Sequence, residues 1–106
     1  MLLIDRNIFL ELILGQEKAD ECERFLERVS NGELEAVVSK FTVHAVEALL
    51  NDSNLILTFL KNIQNSLGLD VYETGLDDEI AISMIMGKMK LDFDDALQYY
   101  VAKSLE

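Results

Sequence analysis

Three short apolar runs, each followed by longer stretches with helical spacing, constrain the fold of this chain more than any other feature. The runs cover residues 1–4, 34–38 and 69–72. The first run is apolar throughout, which is typical of a strand that is buried on both faces, as in a parallel sheet. The other two runs each contain one acid, and the β-branched residues of the second also favour a strand. Because helical stretches separate the runs, we predict a three-layer α/β sandwich around a doubly wound parallel sheet.

The stretches between these runs carry the spacing and the boundary residues of helices. Cys22, Phe25 and Val29 recur at helical intervals with charged residues between them, which indicates an amphipathic helix over residues 18–29. Thr42 is a candidate N-cap for the helix that follows the second strand. We predict the other helices over residues 7–14, 42–50, 54–67 and 76–89, and from Asp94 or Asp95 to the end.

The length and composition indicate one globular domain. A chain of 106 residues, half of them hydrophobic, can form one packed core but not two. No apolar run approaches the ~20 residues that span a bilayer, and Asp5 and Arg6 interrupt the N-terminal run, unlike in a signal peptide. Cys22 is the only cysteine, which excludes an intramolecular disulfide and a thiolate metal cluster. We therefore expect a soluble, cytoplasmic protein without a membrane segment.

The charge is strongly acidic, with 20 Asp and Glu against 9 Lys and Arg and a net charge of −11. Proteins that bind nucleic acid mainly through phosphate contacts usually present a basic surface. That mode of binding is therefore disfavoured here. Any binding of nucleic acid would have to rely on metal ions, on a local patch or on positive charge from a partner.

Asp5 is the first candidate functional residue, because it closes the apolar run at the N-terminus. In open parallel sheets, ligands bind beyond the carboxyl ends of the strands. A carboxylate at that position can point into the binding crevice. An Asx turn or a helix N-cap explains the same residue equally well, so Asp5 alone does not decide between them.

Three carboxylates, Asp92, Asp94 and Asp95, lie within four residues directly before an apolar helix. One acid there can cap the helix, and a second suits its dipole. Three acids so close together repel one another unless a positive charge neutralises them. A hard cation such as Mg²⁺ or Mn²⁺ would do so, because it prefers carboxylate oxygens. For this cluster alone, capping is the favoured interpretation.

Taken together, these motifs resemble the PIN-domain family of metal-dependent ribonucleases. The stretch LIDRNIF over residues 3–9 is similar to the family's opening, in which an apolar strand ends in Asp and Asn or Ser follows shortly after. The stretch DDAL over residues 94–97 is similar to the family's later Asp-Ala helix start. Between them, Val38-Ser39 and a helix bearing Glu47 lie where the family places its second acid. The resemblance covers almost the whole chain.

The resemblance implies hydrolysis of RNA phosphodiester bonds by an acidic cluster that holds Mg²⁺ or Mn²⁺. At the positions that match the family's motifs, Asp5 and Asp95 are the expected metal ligands. Glu47 is the expected third ligand, directly or through water. Asn7 would orient Asp5 or the nearby backbone. Two further acids would have auxiliary or outer roles at the same site, namely Asp92 and Asp94.

Two positions depart from the family pattern. Arg6 stands where the family more often has a small polar residue, and we expect it to pair with a nearby acid. The second acid is out of register, since counting three positions from Thr42 leads to Ala45 and not to Glu47. Two helical positions rotate a side chain by about 200°, so Glu47 faces the site in only one of the two registers. His44 lies next to the site in either register, but a lone helix histidine is more often structural.

The end of the chain is a third departure. The family usually continues after the Asp-Ala helix with a strand, another acid and a short helix, whereas this chain stops at Glu106. We therefore expect a single PIN-like domain over residues 1–106 that is incomplete at its C-terminus. The absent strands would pair with the first strand, so its edge would be exposed. An exposed apolar edge invites pairing with another chain, and we predict a homodimer or larger assembly.

Three functions remain open at this point. The first is a Mg²⁺- or Mn²⁺-dependent endoribonuclease, of the kind that forms the toxin half of a toxin–antitoxin pair with an antitoxin-like protein partner. The second is an inactive PIN-like protein-binding module whose acids serve as caps and surface charge. The third, a receiver-like regulatory domain, is least favoured, because the paired acids lie near the end of the chain and no threonine and lysine follow in the required order.

Overall fold

The three predicted strands form one parallel sheet in the computed structural model, which describes residues 1–106. Strand β1 comprises Leu2–Leu3, β2 comprises Ala36–Ser39 and β3 comprises Leu69–Tyr72. The strand order is β1-β2-β3, and both neighbouring pairs run parallel. The central strand β2 is buried along its whole length, which explains why its sequence is apolar without alternation.

Six helices connect and cover the strands. The two helices after β1 pack against each other, and so do the last two helices of the chain. Two helices follow each strand, which is the predicted order of elements. The helices are α1 (Arg6–Ile13), α2 (Ala19–Ser30), α3 (Lys40–Leu50), α4 (Ser53–Asn65), α5 (Leu76–Met89) and α6 (Phe93–Ser104).

Buried side chains form two clusters, one on each face of the sheet. The larger cluster joins Ile4 and Val38 of the sheet region to residues of α1 to α4. The smaller cluster lies between α5 and α6 and packs against Leu3 and Tyr72. Because successive strand residues point to opposite faces, the neighbours Leu3 and Ile4 contact different clusters. Helices therefore cover both faces of the sheet, which confirms the predicted α/β sandwich.

Helix α3 begins earlier than its sequence suggested. Ser39 is the N-cap, since its Oγ accepts a hydrogen bond from the backbone N–H of Thr42 at 3.0 Å. Ser39 is also the last residue of β2, so the strand passes directly into the helix. The prediction of Thr42 as N-cap was wrong, because Thr42 already lies inside the first turn. Helix α4 likewise ends at Asn65, before the predicted end at residue 67.

Strand β1 lies at one edge of the sheet, with β2 as its only neighbour. The N–H of Leu2 donates to Glu35 O at 3.2 Å, and the N–H of Ile4 donates to Val37 O at 2.8 Å. By strand alternation, the backbone groups of Leu3 face the other way. The edge beyond β1 therefore carries no strand, as expected from the sequence.

Two further observations bear on the expectations from composition. Cys22 is buried on α2, and this burial raises the pKa of its thiol above the ordinary value. A thiol in such surroundings stays protonated and packs as a small apolar group. No helix of the chain has the length and apolar character needed to cross a membrane.

Candidate functional site

The candidate site lies at the edge of the sheet where the strands end. Because all strands are parallel, the segments that follow them leave the sheet at the same edge. Asp5 comes soon after β1, Lys40 directly follows β2, and Glu73 directly follows β3. Polar residues that are far apart in the chain therefore gather at one edge of the sheet.

Asp5 occupies the N-cap position of α1 with extended backbone, but its carboxylate makes no capping hydrogen bond. Its side chain is exposed, and its Oδ2 accepts a hydrogen bond from Asn7 Nδ2 at 3.3 Å. Capping by the side chain therefore does not account for Asp5. The carboxylate retains free lone pairs for a ligand, and Asn7 makes the contact expected of a residue that orients it.

The acids at the start of α6 have different surroundings, and only one of them caps the helix. Asp92 is the N-cap, and its Oδ1 accepts a hydrogen bond from the Asp95 backbone N–H at 2.8 Å. Capping, the favoured interpretation of this cluster from sequence, therefore accounts for Asp92. The Asp95 side chain is exposed and forms neither a side-chain hydrogen bond nor an ion pair with another residue.

Asp94 has the most unusual surroundings of these acids. Only 23% of its side chain is exposed, and its Oδ2 lies 3.8 Å from Arg6 Nη1. Burial raises the pKa of the Asp94 carboxyl, and the charge of Arg6 opposes that rise. The negative charges of Asp5, Asp92 and Asp95 raise the pKa further. The ion pair expected for Arg6 is thus present, and the negative charge of Asp5 also acts on Asp94.

Glu47 is held by a different partner. Its Oε1 lies 2.8 Å from His44 Nδ1, and 26% of its side chain is exposed. Glu47 is not among the charged groups that act on Asp94. Lys40, His44 and Glu47 are spaced four and three residues apart, so they form one stripe along α3. Glu47 therefore lies in this stripe, and the structure does not assemble it with Asp5 and the acids of α6 into one metal-binding group.

No group of three or more His, Cys, Asp or Glu side chains is arranged as a ready metal site. The predicted set of Asp5, Glu47 and Asp95 is therefore not assembled as one cluster. The donor chemistry at Asp5 and Asp94 nevertheless fits Mg²⁺ or Mn²⁺. Mg²⁺ usually keeps several water molecules and binds through one or two carboxylates together with substrate phosphates. Burial is the main cause of the raised Asp94 pKa, and a cation there would offset the smaller contribution of the neighbouring acids.

A cavity of about 270 Å³ opens beside this site, beyond the ends of β2 and β3. Its lining combines two basic groups with two acids, a hydroxyl and an aromatic ring: Lys40, Phe41, His44, Glu73, Thr74 and Glu79. Leu97 of α6 closes one side. We did not single out most of these residues from the sequence. Their position directly after two strands was the signal that could have identified Lys40 and Glu73.

Comparison with known proteins places the chain in a family. No curated protein matches it. The family model described as the PIN domain matches residues 2–106. That match spans the open edge strand, both helical layers and all the acids described above. The chain belongs to the PIN domain family.

Proposed function

We propose that this protein is a metal-dependent ribonuclease that cleaves phosphodiester bonds of cytoplasmic RNA. PIN domains are generally nucleases. The observation that carries the proposal is the environment of Asp94, a carboxylate whose pKa is raised first by burial and then by the negative charges of Asp5, Asp92 and Asp95. Arg6 is the positive charge that opposes these effects, and pKa perturbation of this kind is frequent at functional sites.

Each acid has a defined part in this proposal. Asp5 and Asp94 would hold Mg²⁺ or Mn²⁺, with Asn7 fixing the Asp5 carboxylate. Asp95 and Glu47 enter as the ligands that the family resemblance predicts, and Asp92 anchors the turn that carries Asp94 and Asp95. When bound, the ion would lower the pKa of a water molecule and neutralise charge on the phosphate oxygens. The chain's own contribution would be to orient the exposed Asp5 carboxylate through Asn7 and to keep the Asp94 carboxylate partly shielded from water.

Isothermal titration calorimetry with Mn²⁺ tests this assignment most directly. We expect binding near neutral pH in the wild type and its loss in Asp5→Asn and Asp94→Asn. Asp77→Asn is the matched control, because Asp77 is an exposed acid that opens α5 and lines neither site. Asp95→Asn then decides whether Asp95 joins the pair as a ligand. Wild-type protein without bound Mn²⁺, or full binding by Asp5→Asn, contradicts the proposed site.

RNA cleavage is the second readout. A labelled single-stranded RNA should be cut internally by the wild type with Mn²⁺, and not in EDTA. Asp5→Asn should remove this activity, whereas Asp77→Asn should retain it. Cleavage by the purified protein that survives both EDTA and Asp5→Asn would not depend on a metal at Asp5 and would contradict the proposal.

A second candidate function, a protein-binding module, is favoured by a different observation. An apolar groove of about 430 Å³ runs between α1, α2 and α4. Phe9, Leu26 and Phe59 lie along it, while Glu23 and Glu27 supply its charged lining. An amphipathic helix with basic flanks fits this combination, because it offers both apolar and charge complementarity. Such a helix would belong to an antitoxin-like partner.

A synthetic amphipathic peptide with leucines at helical spacing and flanking lysines tests the groove. Thr58→Arg, which places a cation inside the groove, should weaken peptide binding measured by fluorescence anisotropy. Gln64→Arg lies on the same helix outside the groove and is the control. Equal affinity of both variants would argue against this docking site. Peptide binding together with absent Mn²⁺ binding would favour the module over the enzyme.

The open edge of β1 supports the proposed homo-oligomer. Leu3 has backbone groups that no strand pairs, and Leu2 is 48% exposed beside it. Pairing of two β1 edges would satisfy these groups and cover apolar surface. Analytical ultracentrifugation should therefore find a dimer or larger species, and a monomer at high micromolar concentration would contradict this assembly.

A further inference from the structure

The cavity beyond β2 and β3 contains groups that the metal site does not use. Lys40 is partly buried and forms no ion pair, although Glu73 and Glu79 line the same cavity. The Glu79 carboxylate is oriented by Thr74, since its Oε2 accepts a hydrogen bond from Thr74 Oγ1 at 3.3 Å. The His44 ring is held by Glu47. An unpaired cation and an oriented carboxylate are thus available to one ligand.

An aromatic face completes the cavity. Phe41 lines it and is 37% exposed. The ring of Phe41 packs against Phe93 with centroids 5.3 Å apart and the planes inclined by 57°. Phe93 thus supports Phe41 from the side of α6. Exposed aromatic rings of this kind stack with nucleic-acid bases.

We propose that this cavity binds a guanine base of the RNA substrate, an assignment that rests on the proposed ribonuclease function. A phosphate group is a poor ligand here, because two glutamates line the cavity. Guanine suits it, because N1–H and N2–H₂ form adjacent donors for one carboxylate, while O6 and N7 accept from an amine. Glu79 would receive the two donors, Lys40 would donate to O6 or N7, and Phe41 would stack on the base.

The other bases fit these groups less well. Adenine, cytosine and uracil lack the pair of adjacent donors that guanine offers to a carboxylate. Each bidentate pair contributes about 1–3 kcal/mol of discrimination, which corresponds to roughly 5- to 150-fold in affinity. The sequence preference of a nuclease with this cavity would therefore favour guanine.

The cavity lies close to Asp94, so a base bound in it would affect which phosphodiester bond is cut. Leu97 lines the cavity and lies one turn beyond Asp94 on α6. Phe93, which supports Phe41, is the direct neighbour of Asp94. A nucleotide whose base occupies the cavity would thus present its phosphate towards the acid pair. Base binding would select which phosphodiester bond is cut.

Titration of nucleosides without metal tests the cavity independently of catalysis. We expect guanosine to shift the backbone amide NMR signals around Lys40, Phe41 and Glu79 in a saturable way. Inosine, which lacks only the N2 amine, should bind roughly 5-fold or more weakly, and adenosine more weakly still. Glu79→Gln should reduce guanosine affinity about tenfold or more, since it removes one acceptor of the pair. Asp77→Asn removes a neighbouring acid from the same helix turn and should leave the affinity unchanged.

The outcomes separate this inference from the proposed function. Equal binding of guanosine and adenosine, or an unchanged affinity in a folded Glu79→Gln protein, overturns the guanine site even if Mn²⁺ supports RNA cleavage. Lys40→Met gives a second test should Glu79→Gln fail to fold, and it too should weaken guanosine binding. Selective guanosine binding without Mn²⁺ binding at Asp5 would support the base site and refute the ribonuclease. When both the guanine cavity and the metal site are functional, the protein should cut RNA next to guanines. Glu79→Gln should reduce this preference, so that cuts occur next to all four bases.

Discussion

Replacing Gly68 with alanine should destabilise the fold strongly, because a methyl group has no room at this position. Gly68 lies between α4 and β3, directly before Leu69. A Cβ atom there would lie 2.1 Å from Leu34 O and 2.8 Å from Val29 O. Both neighbours are backbone atoms, so no side-chain rotation can relieve the overlap. Gly68 is therefore required for close approach of the chain and not for a left-handed conformation.

The cost follows from the hydrogen bonds that Gly68 makes. Its N–H donates to Val29 O at 3.0 Å, and its carbonyl accepts from the Ala36 N–H at 2.8 Å. Moving the segment away lengthens both bonds, each worth about 0.5–1.5 kcal/mol. Overpacking adds about 1–3 kcal/mol. A loss of about 2–6 kcal/mol is thus expected, a large part of the ~5–15 kcal/mol typical of a domain.

Urea denaturation followed by circular dichroism measures this loss, with Gly87→Ala as the control. Gly87 lies inside α5, and nothing is within 4 Å of a Cβ atom built there. Alanine should stabilise that helix by about 0.5–1 kcal/mol. The same chemical change should therefore act in opposite directions at the two glycines. A loss below about 1 kcal/mol for Gly68→Ala would refute the overlap argument, since it is less than overpacking alone should cost.

Three further predictions concern the smaller core and two carboxyl groups. Ile82→Ala should lower the free energy of unfolding by about 2–5 kcal/mol in urea titration, because Ile82 is fully buried between α5 and α6. Asp94→Asn in EDTA should raise the melting temperature at neutral pH, because burial raises the folded-state pKa of Asp94 and the charged carboxylate destabilises the fold. This gain in melting temperature should shrink as the pH falls towards the ordinary carboxyl pKa, below which Asp94 is protonated in both states. Tyr100→Phe should reduce stability at neutral pH, since Tyr100 donates a 2.6 Å hydrogen bond that lowers the pKa of Asp78. That contribution is present above the ordinary carboxyl pKa and disappears as the pH falls through the lower folded value, so the acid titrations of wild type and Tyr100→Phe should converge.

The sheet and most helices were predictable because their signals are local. The run over residues 69–72 is followed by Gly75 and an acidic first turn, so β3 and the start of α5 are defined by their own residues. The cap of α3 was not predictable in this way. Ser39 and Thr42 are both good N-cap residues, and the choice depends on where β2 stops. Pairing of β2 with its neighbours on both sides decides that, and it involves residues distant in sequence.

The site was predictable as a location but not in its contacts. The end of β1 brings Asp5 to the carboxyl edge of the sheet, whereas the start of α6 is placed near it by the contact between Arg6 and Asp94. The choice between Asp94 and Asp95 depends on helix phase, since adjacent residues differ by about 100° around the axis. Capping by Asp92 and burial of Leu97 fix that phase and turn Asp94 towards Arg6. The sequence reveals the acids, whereas packing decides which of them interact.

The net charge of −11 bears on how the protein could bind RNA. Nonspecific RNA binding gains its affinity from many phosphate contacts, and an acidic surface forgoes that gain. Under the proposed ribonuclease function, recognition would have to come from a few contacts that do not depend on a basic surface, such as a cation between carboxylates and a base in a cavity. In the two proposals above, a cation held by Asp5 and Asp94 and a base stacked on Phe41 would supply such contacts. An acidic PIN domain of this form would discriminate among RNA sites because its general attraction for RNA is weak.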